Sequence, residues 1–318
     1  MKAEIKFSKS GMLTTLQDHG RLNLQDIGIS KGGASCPSLL EMGNALVENT
    51  NQWSFEFVYN GPEIEVLEGF ISVSITGNVN FHILKDKKEI KGECYRSYIL
   101  NQGDKLLIKN TINSVYGYVS IGGEVQLDKV FDSLSCNPRS KIGPGDGAKI
   151  QDGDTFYIKH NNEKNLYKLN RIPEKQLNNK VRILEGPQYD FFDKKSIKNF
   201  FNTPYEITTT SDKMGMRLSG SKIENLQSAN IKSEAIIRGA IQVPADGQPI
   251  ILLTDHQTIG GYPKIGVVAS ADFENLIQMP PKTHVSFRKI NLKEAKISLA
   301  LKEQTLKNIL NSKTSINE

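Results

Sequence analysis

Residues 62–76 read PEIEVLEGFISVSIT, and this stretch sets the pattern for the rest of the chain. Apolar and polar residues alternate in Ile64–Leu67 and again in Ile71–Ile75, and Gly69 stands between the two runs. Alternation over four to eight residues is typical of half-buried strands, and glycine is typical of the turns that separate them. The stretch therefore predicts two strands joined by a turn.

Runs of the same kind recur along the chain, separated by turn residues. In the first half they cover Ala3–Phe7, Phe55–Tyr59, Tyr98–Leu100, Lys105–Ile108, Tyr116–Ile121 and Thr155–Ile158. In the second half they cover Val181–Leu184, Tyr205–Thr209, Ile236–Val243, Ile250–Leu253, Ile265–Val268 and His284–Ile290. Their spacing is typical of sandwiches and barrels, so the sequence predicts a mainly β protein.

A few helices are expected, and three of them carry a start signal. Ser35 with Pro37 opens Pro37–Val47, Ser270 caps Ala271–Met279, and Asn291 with Glu294 forms a capping box before Leu292–Leu310. The aromatic spacing in Asp190–Phe201 predicts a fourth helix that packs on the core.

Composition excludes several classes of protein. The chain has 318 residues, of which 38% are hydrophobic and 24% are charged, as in ordinary globular proteins. Its 40 Lys and Arg exceed its 35 Asp and Glu by five, but lysines and acids are interspersed in 85–89, which argues against a nucleic-acid surface. No apolar run approaches the ~18 residues of a membrane span, and the N-terminus lacks the apolar core of a signal peptide.

Cysteine and histidine usage argues against a disulfide framework and a metal site. The three cysteines are far apart and have no CxxC spacing, which suits a reducing compartment, and we expect a cytoplasmic protein. The five histidines show no metal-ligand spacing, and no phosphate-binding loop or Rossmann fingerprint is present. The sequence predicts no metal site.

Two segments are polar and rich in glycine, unlike strands of a core. They are Thr14–Ala34 and Ser233–Lys264. Hydrogen-bonding side chains beside glycines allow a ligand to approach backbone N–H groups, although each segment alone is also compatible with turns that close hairpins. The two together favour a binding site.

Four sequence blocks resemble the biotin-dependent carboxyltransferase A/B family. They are Gly11–Arg21, Gly186-Pro187-Gln188, Ser211–Leu218, and the run from Glu234 to Lys264 that ends in Gly-Gly-Tyr-Pro-Lys. The resemblance extends over nearly the whole chain. It implies two cyclophilin-like β-barrel units, which the polar stretch His160–Lys180 divides into residues 1–168 and residues 169–318, the second with the C-terminal helix.

The resemblance also implies a function. It indicates the C subunit of an ATP-dependent 5-oxoprolinase, or part of a related amide- or urea-processing complex, which is inactive alone. The implied partners are a KipI-like B subunit, a LamB/YcsF-like A subunit, and a small lactam or amide as substrate. ATP with Mg serves the complex, and no cofactor is bound covalently to this chain. The alternatives are a non-catalytic regulatory protein that antagonises a KipI-like kinase inhibitor and, from the fold alone, a peptidyl-prolyl isomerase.

Candidate site residues lie within the matched blocks. The catalytic candidates are Asp18, Asp212, Asp255 and His256. The candidates for binding phosphate or orienting an amide are Gln17, Arg21, Gly32, Gly33, Lys213, Arg217, Gln242, Gln248, Gln257, Gly260, Gly261, Tyr262 and Lys264. Lys264 is expected to be a flexible surface charge that reaches a phosphate or carboxylate.

The first half departs from the family pattern at two positions. Ser35-Cys36 stands where Met-Asp is usual, and Leu134 stands where an arginine is usual. An arginine binds a carboxylate or phosphate through two parallel hydrogen bonds, which leucine cannot make. If both positions flank one anion site, restoring the aspartate and the arginine together should strengthen ligand binding.

Overall fold

The structure is a computed structural model that describes residues 2–160, 164–174 and 179–316. Strands hold 37% of the residues and helices 16%, which confirms the prediction of a mainly β chain. The chain divides into two compact units. Unit 1 contains residues 1–21, 32–173 and 306–318, and unit 2 contains residues 22–31 and 174–305. Within the polar stretch 160–180, residues 161–163 and 175–178 lie outside the described residues.

Unit 1 is built from strands that form two antiparallel sheets. Its first strands are β1 (Lys2–Lys9), β2 (Thr14–Gln17), β3 (Ser54–Val58), β4 (Glu63–Glu68), β5 (Phe70–Thr76), β6 (Val79–Lys85), β7 (Lys88–Lys91), β8 (Ser97–Asn101), β9 (Lys105–Thr111), β10 (Tyr116–Ile121), β11 (Glu124–Val125), β12 (Thr155–Lys159) and β13 (Tyr167–Leu169). Within the described part of the chain, the larger sheet has the order β11-β12-β1-β4-β9-β6-β7 and the smaller has the order β2-β3-β10-β5-β8.

The hydrophobic core of unit 1 contains side chains from both sheets. In β1 the alternate residues Ile5 and Phe7 are buried, as the period of a strand requires. Phe7 packs edge-to-face on Phe55 of β3, with ring centroids 4.8 Å apart. Phe81 of β6 and Val119 of β10 belong to the same cluster. Alternation in the sequence thus identified the faces that bury the core.

Helix α1 (Pro37–Leu46) packs on the smaller sheet of unit 1 through polar contacts. Ser74 Oγ donates to the Gly43 carbonyl at 2.8 Å, and Thr76 Oγ1 donates to the Leu39 carbonyl at 2.8 Å. Because these hydroxyls find acceptors inside the protein, the buried polar layer avoids the free-energy penalty of unpaired groups. The predicted helix is confirmed, with Pro37 in its first turn.

The start of α1 differs from the sequence expectation. Its N-cap residue is Cys36, and no side chain caps the helix. Ser35, the expected opener, donates from its backbone N–H to buried Glu56 at 2.7 Å. The Glu56 carboxylate also accepts a hydrogen bond from the Tyr118 hydroxyl at 2.6 Å. The Glu56 carboxylate therefore holds the chain just before the helix, and the helix itself has no side-chain cap.

Unit 2 contains a closed barrel. Its strands are β14 (Lys180–Glu185), β15 (Tyr205–Ile207), β16 (Gly215–Ser219), β17 (Glu234–Ala235), β18 (Ala240–Gln242), β19 (Ile250–Leu252), β20 (Ile259–Gly260), β21 (Lys264–Val268) and β22 (His284–Lys289). As far as the chain is described, the barrel order is β14-β21-β18-β19-β16-β15-β22, closed by the parallel β14–β22 pair. The pair β17–β20 forms a separate two-stranded ribbon.

Helix α2 (Lys194–Asn202) packs on the barrel through aromatic side chains. Phe200 is fully buried and stacks on Phe287 of β22, with ring centroids 4.7 Å apart. The carboxylate of Asp193 caps the helix by accepting the Ser196 N–H at 2.9 Å. The core-packing role expected for Asp190–Phe201 is therefore confirmed, with a 3₁₀ turn at Tyr189–Phe191 before the helix.

The two helices of the C-terminal region test two predicted caps. Helix α3 (Phe273–Ile277) follows Asp272, so the expected cap at Ser270 is wrong; the Asp272 carboxylate instead pairs with Arg182. Helix α4 (Leu292–Leu310) has the predicted bounds. Its capping box is present, because Glu294 N–H donates to Asn291 Oδ1 at 2.9 Å and Asn291 N–H donates to Glu294 Oε2 at 3.0 Å.

The last strand, β23 (Lys313–Ser315), pairs with β13 in unit 1. None of the helices in the described residues is long and apolar enough to cross a membrane.

Candidate functional site

In unit 1, the carboxylate of Asp18 joins two loops, and we call its contacts the Asp18 cluster. One oxygen accepts hydrogen bonds from Gly20 N–H at 2.8 Å, Ser133 Oγ at 2.7 Å and Ser135 Oγ at 2.5 Å. The other oxygen accepts the Leu134 N–H at 2.7 Å. Four donors therefore occupy a carboxylate that has about four acceptor positions. The arrangement is that of a structural brace, and a catalytic role for Asp18 stays a prediction.

Two neighbouring candidates also point their side chains at loop backbone. Gln17 Nε2 donates to the Cys136 carbonyl at 2.8 Å and to Thr15 Oγ1 at 2.9 Å. Arg21 is buried, and its Nη2 donates to the Ser135 carbonyl at 2.7 Å. Both side chains hold the 135–136 backbone in place, so they extend the Asp18 cluster.

The glycine pair of unit 1 permits a close approach of backbone. Gly33 has φ +91°, and a Cβ at this position would lie 2.9 Å from the backbone N of Gly20. The next residue, Ala34, donates its N–H to the Asp18 carbonyl at 2.8 Å. Gly32 also has positive φ, at +59°. The pair therefore brings the backbone of residues 32–34 against the Asp18 loop.

The two departures from the family pattern lie in different environments. The Cys36 side chain is buried, and its backbone N–H donates at 2.7 Å to the Tyr118 hydroxyl, which donates in turn to Glu56. The side chain of Leu134 is 6% exposed and belongs to the hydrophobic core cluster. Because this side chain packs in the core, Leu134 itself offers no polar group to a ligand, and the anion site that it would flank with Cys36 stays a prediction.

In unit 2, polar residues meet at one end of the barrel. Gln242, the last residue of β18, is paired with Lys264, the first residue of β21. The chain leaving β14 crosses the same end, where Gly186 N–H donates to the Ile265 carbonyl at 3.0 Å. Antiparallel pairing thus places the end of β14, the end of β18 and the start of β21 together.

Lys264 forms an ion pair with Glu234 of β17. Gln188 Nε2 donates to the same Glu234 oxygen at 2.9 Å, and Gln188 Oε1 accepts the Lys264 N–H at 3.2 Å. Lys264 is only 4% exposed, so the expectation of a flexible surface charge is wrong. The side chain of Glu234 is 43% exposed. We call these three residues, with Gln242 and Gly260, the Lys264 cluster.

The Lys264 cluster stabilises the charged form of Glu234 and contains one unpartnered amide donor among the described residues. The hydrogen bond from the Lys264 ammonium, followed by that from the Gln188 amide, lowers the pKa of the Glu234 carboxyl below its ordinary value. Gln242 is 2% exposed, and its Nε2 is buried with no hydrogen-bond partner among the described residues. A Cβ on Gly260 would lie 2.7 Å from that nitrogen, so the missing side chain lets β20 rest on Gln242.

Other candidates gather at the opposite end of the barrel. Lys213 precedes β16 and Asp255 follows β19; Asp255 N–H donates to the Lys213 carbonyl at 2.8 Å, and their charged groups are 4.0 Å apart. His256 Nδ1 donates to the Gln257 carbonyl at 2.6 Å. Burial lowers the pKa of the His256 ring, the Gln257 carbonyl opposes this effect, and the nearby Arg238 cation adds to it.

The remaining candidates are spread over the surface and turns of unit 2. Asp212 holds a turn by accepting the Met214 N–H at 2.8 Å, and Gln248 exchanges two hydrogen bonds with the Gly220 backbone. The side chains exposed to solvent are Asp212, Arg217, Gln257 and Tyr262, and Gly261 is partly exposed. Nowhere in the described residues do three His, Cys, Asp or Glu side chains meet as a metal site.

A family model described as "Carboxyltransferase domain, subdomain A and B" matches residues 27–289. The chain belongs to this carboxyltransferase family. The match confirms the resemblance seen in the sequence blocks, and it includes all of the Lys264 cluster.

Two curated relatives match nearly from end to end, and both are named as the C subunit of 5-oxoprolinase. The relative from Escherichia coli (strain K12) is 29% identical over 296 residues, which are 92% of this chain and 93% of the relative. The relative from Haemophilus influenzae (strain ATCC 51907 / DSM 11121 / KW20 / Rd) is 33% identical over 288 residues, which are 88% of this chain and 89% of the relative.

A solved structure shares the fold of this chain. The Kluyveromyces lactis urea amidolyase superposes with a TM-score of 0.86 at 20% identity, over 96% of this chain and 20% of that one. The chain therefore spans about a fifth of the length of urea amidolyase. This likeness confirms the predicted β-barrel architecture.

Sequence reasoning missed two members of the Lys264 cluster. Gln188 and Glu234 lie inside matched blocks but were not among the candidate residues. Gln188 belongs to the Gly-Pro-Gln turn after a strand, and Glu234 opens the block that ends at Lys264. The available signal was an amide at the end of one block and an acid at the start of the block that ends in Lys264. Only the fold brings these three residues together.

Proposed function

We propose that this chain acts as the C subunit of an ATP-dependent 5-oxoprolinase complex. The observation that carries the proposal is the match to two proteins of that name over about nine-tenths of both lengths. The catalytic complex is favoured over the regulatory alternative because both of these relatives carry the name of an enzyme component.

The chemistry of the proposed reaction suits the Lys264 cluster. A lactam is a poor electrophile, so transfer of the γ-phosphoryl group of ATP to its oxygen provides a leaving group before water attacks the ring carbon. Such a reaction needs donors for charge that develops on oxygen and a cation for anionic groups. Lys264 supplies a buried cation, and Gln188 and Gln242 supply amide donors, so we place substrate binding in this cluster.

The proposal includes partners and a location. A KipI-like protein and a LamB/YcsF-like protein complete the complex, which consumes ATP with Mg²⁺ in the cytoplasm, and this chain alone does not turn over substrate. The Lys213, Asp255 and His256 group is a second set of polar residues that the complex can use.

ATP hydrolysis by purified components tests the proposal. We expect phosphate release only when 5-oxoproline is added to the complex of this chain with its KipI-like and LamB/YcsF-like partners. The chain alone and the two partners alone are the controls. Phosphate release by the chain alone, or a complete complex whose phosphate release does not increase with 5-oxoproline, would show that the proposal is wrong.

A further inference from the structure

The carboxylate of Glu234 accepts hydrogen bonds from Lys264 of β21 and from Gln188, which follows β14. Glu234 itself lies outside the barrel. It lies on β17, which pairs only with β20 in the described part of the sheet, and its side chain is partly exposed. Lys264 and Gln188 both direct their donors at its carboxylate. Glu234 is therefore an exposed anion bound to a buried cation on another element.

Contacts other than those with Glu234 also orient the Gln188 and Lys264 donors. The Gln188 amide is oriented by its own Oε1, which accepts the Lys264 backbone N–H at 3.2 Å, so Nε2 faces the carboxylate position. The Lys264 ammonium also donates to the Tyr262 carbonyl at 3.4 Å. Because a buried ammonium without an anion is destabilising, an empty position favours the binding of a carboxylate or a similar group.

A third donor of the barrel has no partner among the described residues. Gln242 Nε2 is buried, and β20 covers it through Gly260. An unsatisfied buried donor is a position that an acceptor on a ligand can fill. Gln242 and Lys264 are paired on adjacent strands, and a Cβ on Gly260, the strand partner of Glu234, would lie 2.7 Å from Gln242 Nε2. The Gln242 amide therefore lies under the same ribbon that carries Glu234.

We infer that Lys264, Gln188 and Gln242 form a site for a small carboxylate, which Glu234 occupies until a ligand carboxylate displaces it. Displacement separates the β17–β20 ribbon from the barrel, which uncovers Gln242. The site itself follows from the contacts above, and only the naming of its ligand rests on the proposed function. In that setting the ligand group is the carboxylate of 5-oxoproline, and a lactam without a carboxylate binds poorly.

Acetate binding to the full-length chain tests the site without reference to any reaction. In Glu234→Ala the position is empty, so we expect acetate to raise the melting temperature in a saturable way, at concentrations at least about tenfold below those that affect the unaltered chain. Glu185→Ala is the matched control, because Glu185 is similarly exposed and pairs with Lys289 on the same barrel. Equal responses of the two variants would overturn the inference.

Two further variants guard against a folding artefact. Glu234→Gln keeps the shape of the side chain and removes its charge, so it should also bind acetate more tightly than the unaltered chain does. Adding Lys264→Met to Glu234→Ala should abolish the acetate response. Saturable acetate binding that survives Lys264→Met would overturn the assignment of Lys264.

Calorimetric titration with 5-oxoproline and with 2-pyrrolidinone separates this inference from the proposed function. Tighter binding of 5-oxoproline to Glu234→Ala, with no gain for 2-pyrrolidinone, supports both. An acetate response without binding of either lactam supports the carboxylate site and counts against the proposed substrate. Equal binding of both lactams, unchanged by Glu234→Ala, overturns the carboxylate site even if the complex hydrolyses 5-oxoproline.

Discussion

The Asp18 cluster of unit 1 and the Lys264 cluster of unit 2 contain similar types of residue but differ in how their polar groups are bonded. Asp18 receives four hydrogen bonds from Gly20 and residues 133–135, three on one oxygen and one on the other. In the Lys264 cluster a partly exposed carboxylate pairs with a buried lysine, and the neighbouring Gln242 amide lacks a partner among the described residues. The Asp18 carboxylate with its four donors stabilises the fold, whereas the buried Gln242 amide has a donor left to offer a ligand carboxylate. Gln17 Oε1 in the Asp18 cluster also has no partner among the described residues, but it is an acceptor.

The largest expected effect is a loss of stability in the core beside the Asp18 cluster. Leu134→Arg places a charge in the hydrophobic core beside the Asp18 cluster, so we expect a loss of about 3–5 kcal/mol in the free energy of unfolding. Urea denaturation measures it. Adding Cys36→Asp should make the loss larger, because a second carboxylate would approach buried Glu56. A folded double variant with tighter ligand binding would contradict this prediction and support an anion site in unit 1.

The second largest loss of stability is expected when the Asp18 carboxylate is removed. Asp18→Ala leaves the Leu134 N–H and its neighbouring donors without their acceptor, and we expect a loss of about 2–3 kcal/mol. Asp128→Ala, at an exposed acid of unit 1, is the control and should change stability by less than ~0.5 kcal/mol. Comparable losses in the two variants in urea denaturation would contradict the brace.

Lys264→Met should act on ligand binding more than on folding. Removing one partner of a buried ion pair is costly when the remaining charge stays buried, but Glu234 is partly exposed and can be solvated. The unfolding free energy should therefore change by about 1 kcal/mol or less. The KM of the complex for 5-oxoproline should rise about tenfold or more. Lys289→Met is the matched control. An unchanged KM would remove Lys264 from the site.

The smallest effect concerns His256 at the other end of the barrel. Its pKa is lowered in the folded chain, mainly by burial, so the unfolded chain takes up the proton first as pH falls. The stability contributed by neutral His256 is present above the ordinary histidine pKa and is lost as pH falls below it. His256→Gln should therefore flatten the decline in melting temperature on the acid side of that value. A variant with the same acid-side decline as the unaltered chain would contradict the burial effect.

Local patterns in the sequence were sufficient to predict much of the fold. Tyr116–Ile121 and Leu292–Leu310 were predicted with the bounds that the structure has, because alternation and a capping box are properties of neighbouring residues. The ribbon β17–β20 was missed, since strands of two residues are too short to show alternation.

The site was predictable only in part. Gln242 and Lys264 were chosen from matched blocks, but their pairing across β18 and β21 depends on barrel register, which no local pattern encodes. The burial of Lys264 was missed for the same reason, because its counterion Glu234 comes from a different element. Asp18 was given a catalytic role as an acid within a matched block, and the loop at 133–135 that donates to its carboxylate is remote in sequence.

Hydrogen–deuterium exchange of the assembled complex, with and without saturating 5-oxoproline, tests the central claim that ligand chemistry lies in the Lys264 cluster. We predict that exchange changes in residues 231–238 and 257–264, which include the β17–β20 ribbon, and stays the same in residues 17–21 and 133–136. Changes confined to residues 17–21 and 133–136, with the ribbon unaffected, would contradict the account.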